Sequence, residues 1–300
     1  MWKETIHVEA PYDFDLVLER ISLDPLHEID FINRLIKVPL LIEGKPNVYT
    51  VQGIGTVDAP AFIIAGEAEQ EKAMARLMEI FQWNLPLADI HAHFGGTSLQ
   101  GIFDIHRGTP LILEFDLYSS LVKSIIHQQL NMAFAQKLTK DFVTTYGFEK
   151  EGAWFYPSPE KAASLTVEEL RTLKFSGRKA EYVIGLSEKV ASKELDLEAL
   201  RSFSDEDVIA ELVKIRGVGR WTAENFLLFG LGRPNLFPKA DIGIQNAIKL
   251  LYNLDAKPTM DEMNQFSQEW QPYLSYASLY LWRSIEKRRN QDEGTGSTRP

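Results

Sequence analysis

Apolar and polar positions change their spacing once along this chain. In the first hundred residues short runs dominate. Residues 3–10, KETIHVEA, alternate as a half-buried strand does, while YDFDLVLERISL carries Phe14, Val17, Leu18 and Ile21 at helical spacing. Three β-rich runs follow, RLIKVPLLIEG, NVYTVQGIG and AFIIAGEA, divided by turn residues at Gly44-Lys45-Pro46-Asn47 and Asp58-Ala59-Pro60. EQEKAMARLMEIFQW then sets Ala73, Leu77, Ile80 and Phe81 on one helical face. From about residue 114 the strand signals stop. FDLYSSLVKSII and MAFAQKLTKDFVTTYG read as amphipathic helices, interrupted at His127-Gln128-Gln129-Leu130-Asn131 and closed by Gly147. Thr166 with Glu169 fits a capping box, and Ser204 with Asp207 a weaker one, each ahead of a helix. RKAEYVIGLSEKVAS, MDEMNQFSQEW and YLSYASLYLWRSIEKRR are further helices.

The pattern predicts a mainly α chain with an N-terminal α+β domain, an antiparallel sheet plus helices, over residues 1–105. A helical domain follows over 106–290, and the polar, glycine-containing residues 291–300 are expected to be a disordered tail. At 300 residues with no cysteine, the chain excludes disulfides, thiolate zinc sites and cysteine-ligated iron–sulfur clusters together. No apolar run approaches the roughly 20 residues needed to span a membrane. The N-terminus lacks the basic start and apolar stretch of a signal peptide, so a cytoplasmic protein is expected.

A net charge of −10 argues at first against a polyanionic partner, but binding follows the local field. Between Glu211 and Leu251 six basic residues face three acids, and WRSIEKRRN adds four basic residues against one acid. The positive charge gathers in the C-terminal third.

In that third lies IRGVGRWTAENF, residues 215–226. Ser204 caps a helix with Val208, Ile209, Leu212 and Val213 on one stripe, and the helix stops at Arg216-Gly217. A second helix runs from Trp221 to Phe229 and ends at Gly230. Gly217 and Gly219 allow a left-handed turn with no side chain above it. The free amides of the turn and of the second helix then form a nest for a phosphate, flanked by Arg216 and Arg220. This is a helix-hairpin-helix over about 205–230, suited to gripping a DNA backbone without reading its bases. A bare G-x-G turn is otherwise an ordinary connector.

Downstream, in LFPKADIGIQNAIKLL, Asp241 stands where an N-cap belongs, ahead of Ile244, Ala247, Ile248 and Leu251. A carboxylate there meets free amides and the positive end of the helix dipole, both favouring the anion. Such an anion beside a sugar stabilises the oxocarbenium-like cation formed as an N-glycosidic bond breaks, and it can orient the attacking water.

Hairpin, Gly/Pro-containing loop and Asp together resemble the helix-hairpin-helix base-excision DNA glycosylase superfamily. PYDF, SIIHQQLN, GRWTAE and WQPYLSYASLYLW are similar, in that order, to its alkylated-base branch, 3-methyladenine DNA glycosylase II. The resemblance implies two helical lobes flanking a cleft and Asp241 as the catalytic carboxylate. The base pocket would include Trp221, Trp282, Asn225 and Ile242, the last two departing from an enterobacterial type of the branch that carries tyrosines there, which implies a less aromatic pocket. The phosphate grip would be Arg216, Gly217, Val218, Gly219 and Arg220. Gln129 or Leu130 would fill the gap left by an extruded nucleotide.

It also implies a Na+ or K+ ion on the backbone carbonyls of Val213, Ile215 and Val218, with no cofactor required for the chemistry. Members that also cut the strand carry a Schiff-base lysine where this chain has Trp221, so release of the base without strand cleavage is expected. The implied partner is double-stranded DNA with a damaged base, met by a monomer that is nucleoid-associated when acting. A glycosylase for oxidised or mismatched bases and a non-catalytic DNA-binding protein stay open as alternatives. His91 and His93 read as surface or packing residues rather than metal ligands.

Overall fold

The computed structural model describes the backbone of residues 1–295 and side chains through residue 285. The expected alternation in the N-terminal part produces β1 (Trp2–His7), β2 (Ile29–Asp30), β3 (Leu35–Ile42), β4 (Lys45–Gly53) and β5 (Ala61–Gly66), ordered β1-β5-β4-β3-β2. Every neighbouring pair is antiparallel. Glu43 and Gly44, at φ 52° and 74°, close the β3–β4 hairpin in a two-residue turn whose left-handed backbone matches the strand twist. Ile36, Val38 and Leu40 point into the core, as period two requires. Helix Phe14–Ile21 lies on that face, capped by Asp13, and buries Phe14, Val17, Leu18 and Ile21.

Strands do not end at residue 114. Phe148–Lys150 and Ala153–Phe155, here β6 and β7, form a hairpin around Glu151 and Gly152, again with positive φ. Three residues per strand are too few to show alternation. The hairpin docks on the larger sheet through Lys150 Nζ, which donates to Pro46 O at 2.8 Å, and Lys37 Nζ, which donates to Glu151 O at 2.8 Å.

Packing also redraws the domain boundary expected at 105. One hydrophobic core joins Tyr12, Phe14, Val38, Phe62 and Phe81 to Ile244, Ile248, Trp270, Tyr276 and Leu281. The other holds Leu121, Ile125, Phe142, Val183, Leu212, Val218 and Phe226. The chain therefore starts and finishes in one lobe and builds the second between about 117 and 227. Each large apolar side chain fully buried contributes about 1.5–3 kcal/mol, so the C-terminal helices cannot be separated from the sheet lobe. Periodicity shows which helix face is apolar, not what it meets. The last helix runs Leu274–Thr295, beyond the expected start of the tail; the rest of that tail, 296–300, lies outside the described residues.

Candidate active site and nucleic-acid interface

The two lobes enclose a cleft of about 1110 Å³. Helix Ile242–Leu251 belongs to the sheet lobe, and Asp241 is its N-cap: Oδ1 accepts the Ile244 amide at 2.9 Å. The same oxygen accepts Trp282 Nε1 at 2.9 Å, while Oδ2 accepts Trp221 Nε1 at 3.2 Å. Trp221 comes from the second hairpin helix, so one carboxylate ties both lobes together at the mouth of the cleft. Three N–H donors fix its orientation. Oδ2, with a single donor, keeps lone-pair capacity to spare, and half-buried Asp241 lines the cleft.

Gly243 makes this approach possible. A Cβ at 243 would stand 2.9 Å from Asp241 Oδ1, closer than real contacts allow, and 3.0 Å from Trp282 Cδ1, close enough that the ring must give way. Gly243→Ala should therefore slow turnover by about tenfold through displacement of the carboxylate, while the better helix propensity of alanine holds thermal stability level or raises it. A fall in turnover that tracks a fall in melting temperature would refute this.

The expected pocket residues line the same cleft. Trp221 is about one-third exposed, and Ile242 lies at the rim, 63% exposed. Asn225 donates from Nδ2 to Trp221 O at 2.8 Å, so it braces the tryptophan's helix. Two contributors escaped sequence reasoning. Phe229 stacks on Trp282 with ring centroids 5.8 Å apart, and the Arg20 guanidinium lies 5.6 Å above Phe229 from the sheet lobe. Phe229 falls in FLLFG, an apolar run that reads as core. The second hairpin helix is α only over Arg220–Asn225 and widens into a π turn over Phe226–Gly230, not the uninterrupted helix expected. A π turn holds an extra residue, which brings Phe229 nearer the Trp221 face than eight regular positions would.

At the hairpin, Gly217 takes φ 93°, and an added Cβ would fall 2.2 Å from Tyr182 Cγ. Gly219 is the N-cap of the second helix, while Val218 is buried. Arg216 and Arg220 are exposed, held by Glu181 at 2.9 Å and Glu224 at 2.8 Å. Beside the hairpin in the same lobe, exposed Gln129 has a left-handed backbone at φ 56°, and Leu130 is partly buried against the helical core. The Ile215 carbonyl accepts the Val218 amide at 3.0 Å. Among the described residues no backbone amide donates to the carbonyls of Val213 or Val218, so these oxygens are available to a monovalent cation.

Other positions sit elsewhere. Phe14 is in the sheet-lobe core, while Arg20, Ile21, Leu23, Asp24 and His27 line the cleft from the N-terminal part of the chain. Arg283 is buried against Glu19 at 3.4 Å, and the side chains of Lys287, Arg288 and Arg289 lie outside the described residues. Lys239 is bound by Asn264. His91 pairs with Asp104 at 3.1 Å, His93 packs edge-on against Tyr273, and no metal-binding cluster of His, Asp or Glu occurs among the described residues.

The floor of the cleft carries buried charge. Lys123 bridges Asp24 and Glu114, each at 2.9 Å. Burial raises the Asp24 pKa, but the Lys123 charge, with hydrogen bonds from Lys123 and the Leu26 amide, outweighs it and holds the group at about 2. Burial, then the Lys123 charge, pushes His127 down to about 4, and burial lowers His27 too. The His127 imidazole is neutral in the folded protein near neutral pH yet takes up a proton near pH 6.5 when unfolded. Its contribution to stability is intact above pH 6.5 and is lost as pH falls from 6.5 to about 4. Thermal unfolding followed between pH 7.5 and 4 should show the melting temperature dropping across that window, a drop that His127→Gln reduces.

A carboxylate aimed into an aromatic-walled cleft, beside a glycine hairpin, defines a DNA base-excision protein. The chain belongs to the HhH-GPD superfamily of base excision DNA repair proteins, whose family model matches residues 122–272. It is 51% identical over 287 residues to YfjP of Bacillus subtilis (strain 168), provisionally named a DNA-3-methyladenine glycosylase; the alignment covers 95% of this chain and 100% of that one. The fold matches that of the 3-methyladenine DNA glycosylase from Archaeoglobus fulgidus with a TM-score of 0.82 at 23% identity, over 94% and 97% of the two chains. It also matches Schizosaccharomyces pombe 3-methyladenine DNA glycosylase in complex with abasic DNA, with a TM-score of 0.59 at 25% identity over 66% and 97%. No helix among the described residues is long and apolar enough to cross a membrane.

Proposed function

We propose that this protein excises alkylated purines such as 3-methyladenine and 7-methylguanine from duplex DNA, hydrolysing the N-glycosidic bond and leaving an abasic site. The observation that carries the reading is Asp241: an oriented carboxylate with lone-pair capacity to spare at the mouth of a cleft walled by Trp221, Phe229 and Trp282. Extruding the base gives those rings a flat, electron-poor purine, often cationic, which indole faces attract. Asp241 Oδ2 faces the sugar, offsets the positive charge that grows as the base departs, and orients the water that attacks the same carbon. The bond to the base breaks, water supplies the hydroxyl group, and its proton leaves by way of the carboxylate or solvent. The relatives' names support alkylated bases as the substrate class.

The hairpin from Ile215 to Arg220 holds a phosphate through its amides, with Arg216 and Arg220 adding charge. A Na+ or K+ ion on the carbonyls of Val213, Ile215 and Val218 would supply further positive charge for that phosphate. Removing both arginines should lower the slope of log affinity against log salt by about two; an unchanged slope in fluorescence-anisotropy titrations would mean that they do not meet phosphates.

We read the enzyme as monofunctional. Trp221 stands at the family's lysine position, and Lys239 is engaged with Asn264. Incubating methylated and oxidised duplexes separately and identifying the freed bases by mass spectrometry tests the substrate class. Methylated purines are expected from the first and nothing from the second; release of oxidised purines alone would overturn it. Borohydride should trap no protein–DNA adduct.

A further inference from the structure

Lys179 occupies the first turn of helix Gly177–Ala191, capped by Ser176, where the positive end of the helix dipole disfavours a cation. Its side chain crosses to the loop opposite. Nζ donates to the carbonyls of Ile125 at 3.2 Å, Ile126, and Gln128 at 2.6 Å, three oxygens at the end of helix Leu117–His127. Burial among them lowers its pKa to about 8. The Gln128 side chain continues the connection: Nε2 donates to Gly217 O at 2.9 Å and to Thr222 Oγ1 at 2.8 Å. Gly217 lies against the Tyr182 ring, and Tyr182 is one turn along the helix that bears Lys179. The circuit closes on itself.

We infer that Lys179 and Gln128 are positioning residues that fix the loop bearing Gln129 to the phosphate-gripping hairpin, so that capture of the backbone and extrusion of the base occur as one movement. The geometry leaves few alternatives for Gln128, since both of its donor contacts are to atoms of the hairpin and its second helix, within the same lobe. Gln129, the next residue, is exposed in a left-handed conformation. A loop cut loose from the hairpin could still follow the duplex, but the force of phosphate binding would no longer reach the stacked base. The inference rests on the base-extruding glycosylase reading above.

The test uses Gln128→Glu, which keeps the shape and removes the donor, and Lys179→Met. Single-turnover release is measured from a duplex bearing one paired 7-methylguanine and from the same lesion in a single strand, where no extrusion is required. Both variants should be at least about tenfold slower on the paired lesion and within about threefold of the parent on the unpaired one. Equal losses on the two substrates, or no loss on either, would overturn the coupling. Should Lys179→Met not fold, Gln128→Glu decides alone. If the parent protein releases nothing from either substrate, the glycosylase reading fails and the inference goes with it.

Discussion

Asp241→Asn is expected to slow release of methylated purines by on the order of 10³-fold, with affinity for abasic DNA held within a factor of about three. Asparagine is as good an N-cap as aspartate, so Oδ1 can keep the Ile244 amide and helix Ile242–Leu251 should stay in place. What changes is charge. A neutral amide cannot offset the oxocarbenium-like sugar, and its N–H2 faces one of the two indole donors that the carboxylate accepts. The phosphate grip lies on the hairpin, away from this substitution. Single-turnover excision and anisotropy titration separate the two effects. A variant that excises at the parental rate would mean that Asp241 is only a cap, leaving the hairpin as a DNA clamp without chemistry.

Lys123→Met is expected to produce the largest loss of stability, about 3 kcal/mol. Lys123 is the shared partner of Asp24 and Glu114, and its side chain, 21% exposed, neutralises two carboxylates under the cleft. Burial lowers the affinity of Lys123 for its proton, yet the two acids reverse this and hold the proton firmly. Methionine fills the volume but leaves the acids facing each other, and the burial that raises the Asp24 pKa is no longer outweighed. In the parent, the Asp24 contribution is present above pH 3.8 and is lost as pH falls to about 2. In the variant it should be missing at neutral pH. Urea unfolding at pH 7 measures the difference, and adding Asp24→Asn and Glu114→Gln should recover part of it. An unchanged midpoint would show that water already screens the cluster.

Much of the site was legible because its chemistry is local in sequence. Gly217, Gly219 and Trp221 lie within five positions, and Asp241 announces itself as a cap before an apolar stripe. The family resemblance put Trp221 and Trp282 in a pocket near Asp241, but the hydrogen bonds that pair them with it, 20 and 41 positions away, are tertiary contacts that no sequence pattern anticipated. Phe229 and Arg20 were missed for the same reason: nothing in FLLFG distinguishes a cleft wall from a core, and Arg20 belongs to the other end of the chain. The helices and longer strands followed their periodicity. The short β6–β7 hairpin did not, and the lobe boundary failed because the C-terminal helices return to the first core. Glu151-Gly152 was the one available cue to that hairpin.

The most direct measurement is a crystal structure of the Asp241→Asn protein bound to a duplex carrying a carbocyclic alkylpurine nucleotide, which cannot form the sugar cation. The extruded purine should lie between Trp221 and the Trp282–Phe229 pair, with its sugar carbon about 3–4 Å from the side chain at position 241. A lesion still stacked in the helix, or a duplex bound to the face opposite the hairpin, would contradict the account.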